Sequence, residues 1–286
     1  MDILVGKLLD ALSASGKAQN TIIIYLGDHG AQFSRGKQSS HEAGLRIPLI
    51  IHDPRLGNKQ SRVVNDLVSV IDMVPTLLDY AGIETKKAFP GESLRPAVTT
   101  GRSNRPRQYV FSACDGGTSE FFHPTRSVSD GRYKLIRHLV PGMENPDFRL
   151  YAGHFNSHFD GGTEEAELSS ADDLVREAYQ RYKSPPEYEL FDLEEDPHEW
   201  RNLANVDAYK KVMKKLQEAL KSWQQTARDP LAEPSILKAY VREMEEVRRK
   251  YPDHSYQKDT SFQWKFHDLF REWVNRENDN IQGDMK

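Results

Sequence analysis

Asp28, His29 and Gly30 stand together at the end of an apolar run, Thr21 to Leu26, and Lys37 follows nine positions after Asp28. A carboxylate beside an imidazole can hold a metal ion, and an ammonium close by can hold an anion. The run is rich in β-branched residues (Thr21, Ile22, Ile23, Ile24). It reads as a buried strand of a parallel sheet. In open α/β sheets, ligands sit beyond the carboxyl ends of strands, where this run delivers Asp28 and His29. Gly30 frees the backbone for a turn at that point.

The elements that must position these groups follow from periodicity. Ile3, Leu4, Leu8, Leu9 and Leu12 trace a helical stripe that Gly16 stops, so the chain opens in a packed helix. Residues 27–46 are polar and small and read as a functional loop. A second buried strand is expected at Ile47–His52, with Asp53-Pro54 as its turn. Val70, Met73, Val74, Leu77 and Leu78 have helical spacing. That helix starts near Asp72 as its N-cap, carries Pro75 in its first turn and ends at Gly82. Beyond a linker at 101–107 the pattern turns antiparallel. A strand is expected at Gln108–Ala113, a hairpin of Arg126–Val128 and Arg132–Leu139 around Ser129-Asp130-Gly131, and another strand at Tyr188–Leu193. Residues 154–170 read as a surface loop. Tyr209, Val212, Met213, Leu216, Leu220 and Trp223 give the helix Asp207–Thr226 one apolar face. Two tail helices are expected, at Pro234–Lys250 and Ser261–Asn275. The domain expectation is 1–105, 106–230 and 231–286.

Composition removes several classes of function. With 37% hydrophobic residues among 286, the chain can build a core. A net charge of −4 gives no electrostatic case for nucleic acid or an anionic membrane. Cys114 is alone, which excludes an intrachain disulfide and a cysteine-based zinc site. No apolar run approaches the ~20 residues of a membrane span. The opening residues read as a helix and not as a signal peptide.

The order of motifs resembles a known family. Asp28-His29-Gly30 is followed by Arg35-Gly36-Lys37, by His41-Glu42-Ala43-Gly44-Leu45-Arg46-Ile47-Pro48, by Asp72-Met73-Val74-Pro75-Thr76-Leu77-Leu78 and by Gly91-Glu92-Ser93-Leu94. Then come Pro124-Thr125-Arg126-Ser127-Val128, Gly131-Arg132-Tyr133-Lys134-Leu135, Glu189-Leu190-Phe191-Asp192-Leu193, Asp196-Pro197-His198-Glu199, Asn202-Leu203-Ala204, and Trp223 with Asp229-Pro230. Over residues 3 to 230 this series is similar to the carboxyl-terminal half of the sulfatases of the alkaline phosphatase superfamily, most of all to their heparan N-sulfatase branch. The resemblance implies an α/β fold: the second half of an alkaline-phosphatase-like sulfatase domain plus a small α+β domain with an antiparallel sheet and a packed helix. It implies a divalent cation, Ca²⁺ by family usage, on Asp28 and His29. Histidine is a softer donor than the asparagine frequent at that place, and Ca²⁺ prefers oxygen. It implies Lys37 as the catalytic and substrate-binding cation on the sulfate. Arg126 is placed near the substrate mouth, and His41 either faces the site or fills the core. The substrate class implied is a sulfated carbohydrate, and relatives are periplasmic, secreted or lysosomal.

The family's nucleophile is a formylglycine made from Cys or Ser in a Cys/Ser-x-Pro-x-Arg motif. Cys114-Asp115-Gly116-Gly117-Thr118 lacks the Pro and the Arg, and Ser184-Pro185-Pro186-Glu187-Tyr188 has Tyr in place of Arg. The expectation is therefore a chain that lacks an amino-terminal half and is inactive alone. A phosphodiesterase or phosphonate hydrolase of the same superfamily, a non-catalytic remnant and a complementing subunit are the alternatives. Structural roles are expected for Glu42 and Arg46 as an i,i+4 pair, for Asp192, Asp196, His198 and Glu199 as a turn before a helix, and for Cys114 as a small buried residue.

Overall fold

The structure, a computed structural model, describes residues 1–57, 61–84, 89–152, 163 and 165–284. In chain order the elements are α1 (Asp2–Ala14), β1 (Ile23–Leu26), α2 (Glu42–Leu45), β2 (Leu49–His52), α3 (Met73–Ala81), α4 (Arg95–Thr100), β3 (Val110–Cys114), β4 (Thr125–Ser129) and β5 (Tyr133–His138). They continue as α5 (Pro146–Ala152), α6 (Glu165–Ser170), α7 (Asp173–Lys183), β6 (Tyr188–Asp192), α8 (Lys210–Thr226), α9 (Pro234–Lys250) and α10 (Phe266–Asp284). Two compact units divide them: residues 1–29 with 46–110, and residues 30–45 with 111–286. Among the described residues no helix is long and apolar enough to cross a membrane.

In the first unit β1 and β2 pair antiparallel, Ile23 opposite His52 and Leu26 opposite Leu49. This corrects the expectation of a buried parallel strand. Among the described residues the sheet has two strands. A ribbon that narrow leaves edges and faces open, and Tyr25 and Leu26 stay exposed. The α1 stripe is real as periodicity but is not packed: Ile3 and Leu8 are 75% and 71% exposed. Helix α3 ends at Gly82, whose φ of 66° is open to glycine at no steric cost. Asp72 precedes it, but its side chain does not cap α3. It turns back to accept from the backbone of Ser69 and Glu92, and the Arg107 guanidinium closes on it from the linker. Asp72 is wholly buried, and its hydrogen-bond donors hold its carboxyl below the usual range against the opposing effect of burial.

The second unit carries a four-stranded sheet in the order β3-β4-β5-β6. The expected hairpin forms, with Thr125 opposite His138 and Ser129 opposite Lys134, and β5 pairs antiparallel with β6. Helix α8 lies on this sheet through buried Leu216 and Leu220, and Trp223 stacks on Phe111 at 5.1 Å between centroids. The tail helices build a second core: Phe122, Leu231, Ile236, Tyr240, Met244 and Phe266 pack together. Of the expected loop at 154–170, residues 154–162 and 164 lie outside the described residues, and 165–170 are helical. Helix α7 was not expected; Asp172 caps it by accepting from Val175 N at 2.9 Å.

Candidate functional site

The chain leaves β1 through Gly27 and presents Asp28 and His29 at the surface of the first unit. The Asp28 side chain is 89% exposed, and its Oδ2 lies 3.5 Å from His29 Nε2. Its other oxygen accepts from His29 N at 3.0 Å. A carboxylate oxygen and an imidazole nitrogen therefore face one another just past the strand end, where the alternation of the strand no longer applies. Among the described residues no group of three or more His, Cys, Asp or Glu is placed to hold a metal. Asp28 and His29 are thus two donors, where hard cations take six or more.

Lys37 belongs to the second unit, on a loop bound to the four-stranded sheet at several points. Gly30 N donates to Gly44 O at 3.0 Å, and Lys37 N donates to Ala31 O at 2.8 Å, which folds residues 30–45 on themselves. Gly30 is required there: a Cβ would stand 1.8 Å from Ala43 O. Arg35 Nη2 donates to Glu199 O at 2.6 Å, and its guanidinium covers the Trp200 ring at 4.5 Å. Ser40 Oγ and Thr125 Oγ1 share a hydrogen bond of 2.7 Å at the start of β4. Cys114 Sγ donates to Gln38 O at 3.1 Å at the end of β3. Glu42 does not form the local pair expected with Arg46 as its partner. Its carboxylate accepts from Lys134 Nζ at 2.9 Å, and its N–H donates to Glu199 Oε2 at 2.7 Å. Lys134, 1% exposed, reaches Glu199 at 3.0 Å as well. Burial raises the Glu199 carboxyl more than the Lys134 charge lowers it. Glu199 thus joins the loop's anchorage in addition to shaping a turn.

Two of the expected site residues are placed inward. His41 is buried, with its ring 6.1 Å from Tyr182 and 6.0 Å from Phe191. Burial, then the charges of Arg35 and Lys134, push its pKa well below the usual value, so it is neutral at pH 7. Arg126 is 2% exposed and does not line an open mouth. Its Nε and Nη2 hold the two oxygens of Asp229 at 2.7 and 2.8 Å, and its Nη1 donates to Asp115 Oδ1 at 2.5 Å and to Thr125 O at 2.8 Å. A bidentate arginine saturated in this way is a clamp between β4, the 115 loop and the turn after α8.

Sequence reasoning missed two buried groups beside this loop. Glu189, His138 and His123 form a chain of hydrogen bonds, 2.9 Å from Glu189 Oε2 to His138 Nε2 and 3.0 Å from His138 Nδ1 to His123 Nε2. Burial takes His123 down to about 3, helped by the His138 charge. Asp147, at the start of α5, is 2% exposed, and its Oδ1 has no hydrogen-bond partner. Burial alone raises its carboxyl to about 7. The Asn145-Pro146 turn signal marks the helix start but not what surrounds it. Cys114 is half-buried where the sequence reading expected a buried residue, and burial pushes its thiol up to about 11.

Residues 1–83 match the family model described as Sulfatase. The chain is 34% identical over 229 residues to an ulvan-active sulfatase of Formosa agariphila, covering 78% of this chain and 36% of that protein. It is 27% identical over 241 residues to the human N-sulphoglucosamine sulphohydrolase, covering 80% of this chain and 46% of that protein. The chain thus spans less than half the length of these relatives. A solved structure of a 2-O GAG sulfatase superposes with a TM-score of 0.58 at 22% identity, over 79% of this chain and 40% of that one. The α/β fold is that of the alkaline-phosphatase-like sulfatases.

Proposed function

The chain carries a sulfatase-family region, and we propose that it supplies the cation-binding pair and the anion-binding lysine of a hydrolase of sulfate esters or sulfamates on sulfated sugars. The observation that carries this reading is the exposed Asp28–His29 pair at the end of β1, in a chain 34% identical to an ulvan-active sulfatase. The pair fits a divalent cation as part of a ligand set: one hard oxygen, one imidazole nitrogen, both at the surface. A cation bound there, Ca²⁺ by family usage, supplies Lewis-acid polarisation of a sulfate oxygen. Lys37 presents a compact positive charge to the anion. The loop that carries Lys37 is bound to the four-stranded sheet at Ser40, Gln38 and Glu42, and His41 within it is buried and neutral.

The groups in this chain do not include a formylglycine motif, so the hydrolase reading requires a polypeptide that supplies the nucleophile and further carboxylates. The purified chain is expected to turn over neither an aryl sulfate nor N-sulfoglucosamine. Coexpression with a polypeptide carrying a Cys/Ser-x-Pro-x-Arg motif is expected to yield turnover that Asp28→Ala and Lys37→Ala each abolish. Clear turnover by the chain alone overturns the requirement for a complement. Turnover of a phosphonate monoester in place of both sulfates moves the assignment to the phosphonate hydrolases of the same superfamily.

A further inference from the structure

We propose that Arg35 and Glu199 are positioning residues that hold the backbone of Lys37 ready for an anion, and that the loop carries backbone strain to do so. The proposal rests on the reading of Lys37 as the anion-binding lysine and adds what gives it its place. Among the described residues five that are not glycine have a left-handed φ. Three of them, Arg35 at 62°, Gln38 at 68° and Glu199 at 59°, belong to this one network. Such a backbone is uncommon in residues of these types. It persists where surrounding contacts over-determine it, and it gathers at functional segments.

The contacts that impose it are specific. Glu199 grips the segment 35–42 at both ends. Its backbone carbonyl accepts from Arg35 Nη2 at 2.6 Å, and its Oε2 accepts from Glu42 N at 2.7 Å. Lys134, 3.0 Å from the other carboxylate oxygen, balances the buried charge. The Arg35 guanidinium covers the Trp200 ring at 4.5 Å, and the Arg35 carbonyl accepts from Ser39 Oγ at 2.7 Å. The Gln38 carbonyl accepts from Cys114 Sγ at 3.1 Å. Gly36 is confined as well, since a Cβ there would stand 2.2 Å from Ala31 O. Lys37 lies between these held residues, and its own N–H donates to Ala31 O at 2.8 Å. Its side chain is treated differently. It is half-buried, and its ammonium has no ion pair among the described residues, whereas Arg35 and Lys134 are buried with acceptors. Holding the backbone of a binding residue in advance lowers what the ligand must still order. An anchorage that served stability alone would gain nothing from three residues in a costly conformation.

The test is a titration of the full chain, isotope-labelled at its lysines, with inorganic sulfate at constant ionic strength. The Lys37 ε-methylene resonance, assigned by its loss in Lys37→Arg, reports binding, and the exposed Lys210 and Lys214 serve as reference. In the wild type the Lys37 resonance is expected to saturate while the reference lysines shift little. Gln38→Gly removes the strain and frees the backbone. It is expected to weaken sulfate binding at Lys37 at least about fivefold. Its unfolding midpoint should stay close to that of the wild type, because the strain relieved offsets the freedom gained by the unfolded chain. Arg35→Met removes the donor to Glu199 O and is expected to weaken binding likewise, and Arg35→Lys, which restores a cation and a donor, to recover part of the loss. If Arg35→Met does not fold, Gln38→Gly carries the test. Unchanged sulfate affinity in Gln38→Gly overturns the positioning role, as does a loss of affinity that comes only with a lower midpoint. A wild-type Lys37 resonance that moves no more than those of Lys210 and Lys214 overturns the anion-binding reading of Lys37, and the positioning role with it, so the two failures are distinguishable.

Discussion

At Asp147 burial and ionisation oppose each other with nothing to reconcile them. Its carboxyl titrates at about 7 in the folded chain, against ~3.9 in an unfolded one. The folded state therefore keeps a proton that the unfolded chain has lost. Stability from this group is full below pH 4, falls as pH rises between about 4 and 7, and is lost above. Asp147→Asn cannot ionise, so the variant should gain on the wild type across that window, by an amount on the order of a few kcal/mol at pH 8. Urea denaturation of both proteins between pH 4 and 8 measures the difference, and a flat difference rules the account out. His123 has the opposite sign. Its folded value of about 3 lies below the unfolded ~6.5, so its contribution holds above pH 6.5 and fades as pH falls. Arg126 is a third case, in which charge is buried but fully paired. Arg126→Met leaves Asp229 buried without its cation and should cost about 3–5 kcal/mol of stability, read from the denaturation midpoint.

Among elements, the loop 30–45 depends most on partners far away in sequence. Ser40 and Thr125 are 85 residues apart, and Arg35 and Glu199 are 164 apart. Glu199→Gln keeps the shape but removes one of the two carboxylates on Lys134. It is expected to lower stability by about 1–3 kcal/mol. Thermal unfolding would show this, and an unchanged midpoint would mean that Glu42 alone satisfies the lysine. Gly30→Ala forces a methyl against Ala43 O and should loosen the loop more than it lowers global stability, which amide exchange at Gly44 and Leu45 would register. The elements that sequence made legible are those specified locally. The β4–β5 hairpin follows from Gly131 and alternation; α8 and α9 follow from a 3.6-residue stripe; α3 follows from Pro75 and Gly82. The adjacency of Asp28 and His29 past the end of β1 was equally legible. The burial of His41, Arg126 and Lys134 was not, because each is decided by residues that periodicity does not connect. Helix α7 was missed although Asp172 and the basic pair Arg181 and Lys183 mark its two ends. The antiparallel pairing of β1 was missed because an apolar run reports burial and not strand direction.

On the scale of the whole molecule the two units differ in what they bury. The second holds extended apolar clusters, around Tyr240 and Met244 and around Tyr182. Among the described residues the first has Leu94 and Ala97 as its buried apolar residues, while Ile3, Leu4, Leu8, Ile50, Val70, Val74 and Leu77 are each at least half exposed. Full burial of a side chain of this kind contributes about 1.5–3 kcal/mol, so a surface that covers several of them gains enough to drive association. The strands β1 and β2 add open edges to the same unit. A chain with this surface should self-associate at micromolar concentration when no other polypeptide covers it. Sedimentation velocity is expected to show species larger than 32.8 kDa. Leu8→Glu and Ile50→Lys should each shift the distribution towards the monomer, since they place a charge where apolar contact is required, and neither touches the core of the second unit. Coexpression with a sulfatase amino-terminal polypeptide should do the same to the wild type by occupying that surface. A wild-type chain that stays monomeric at high concentration, with no response to either substitution, would show that the exposed side chains drive no association and that the first unit is stable as it stands.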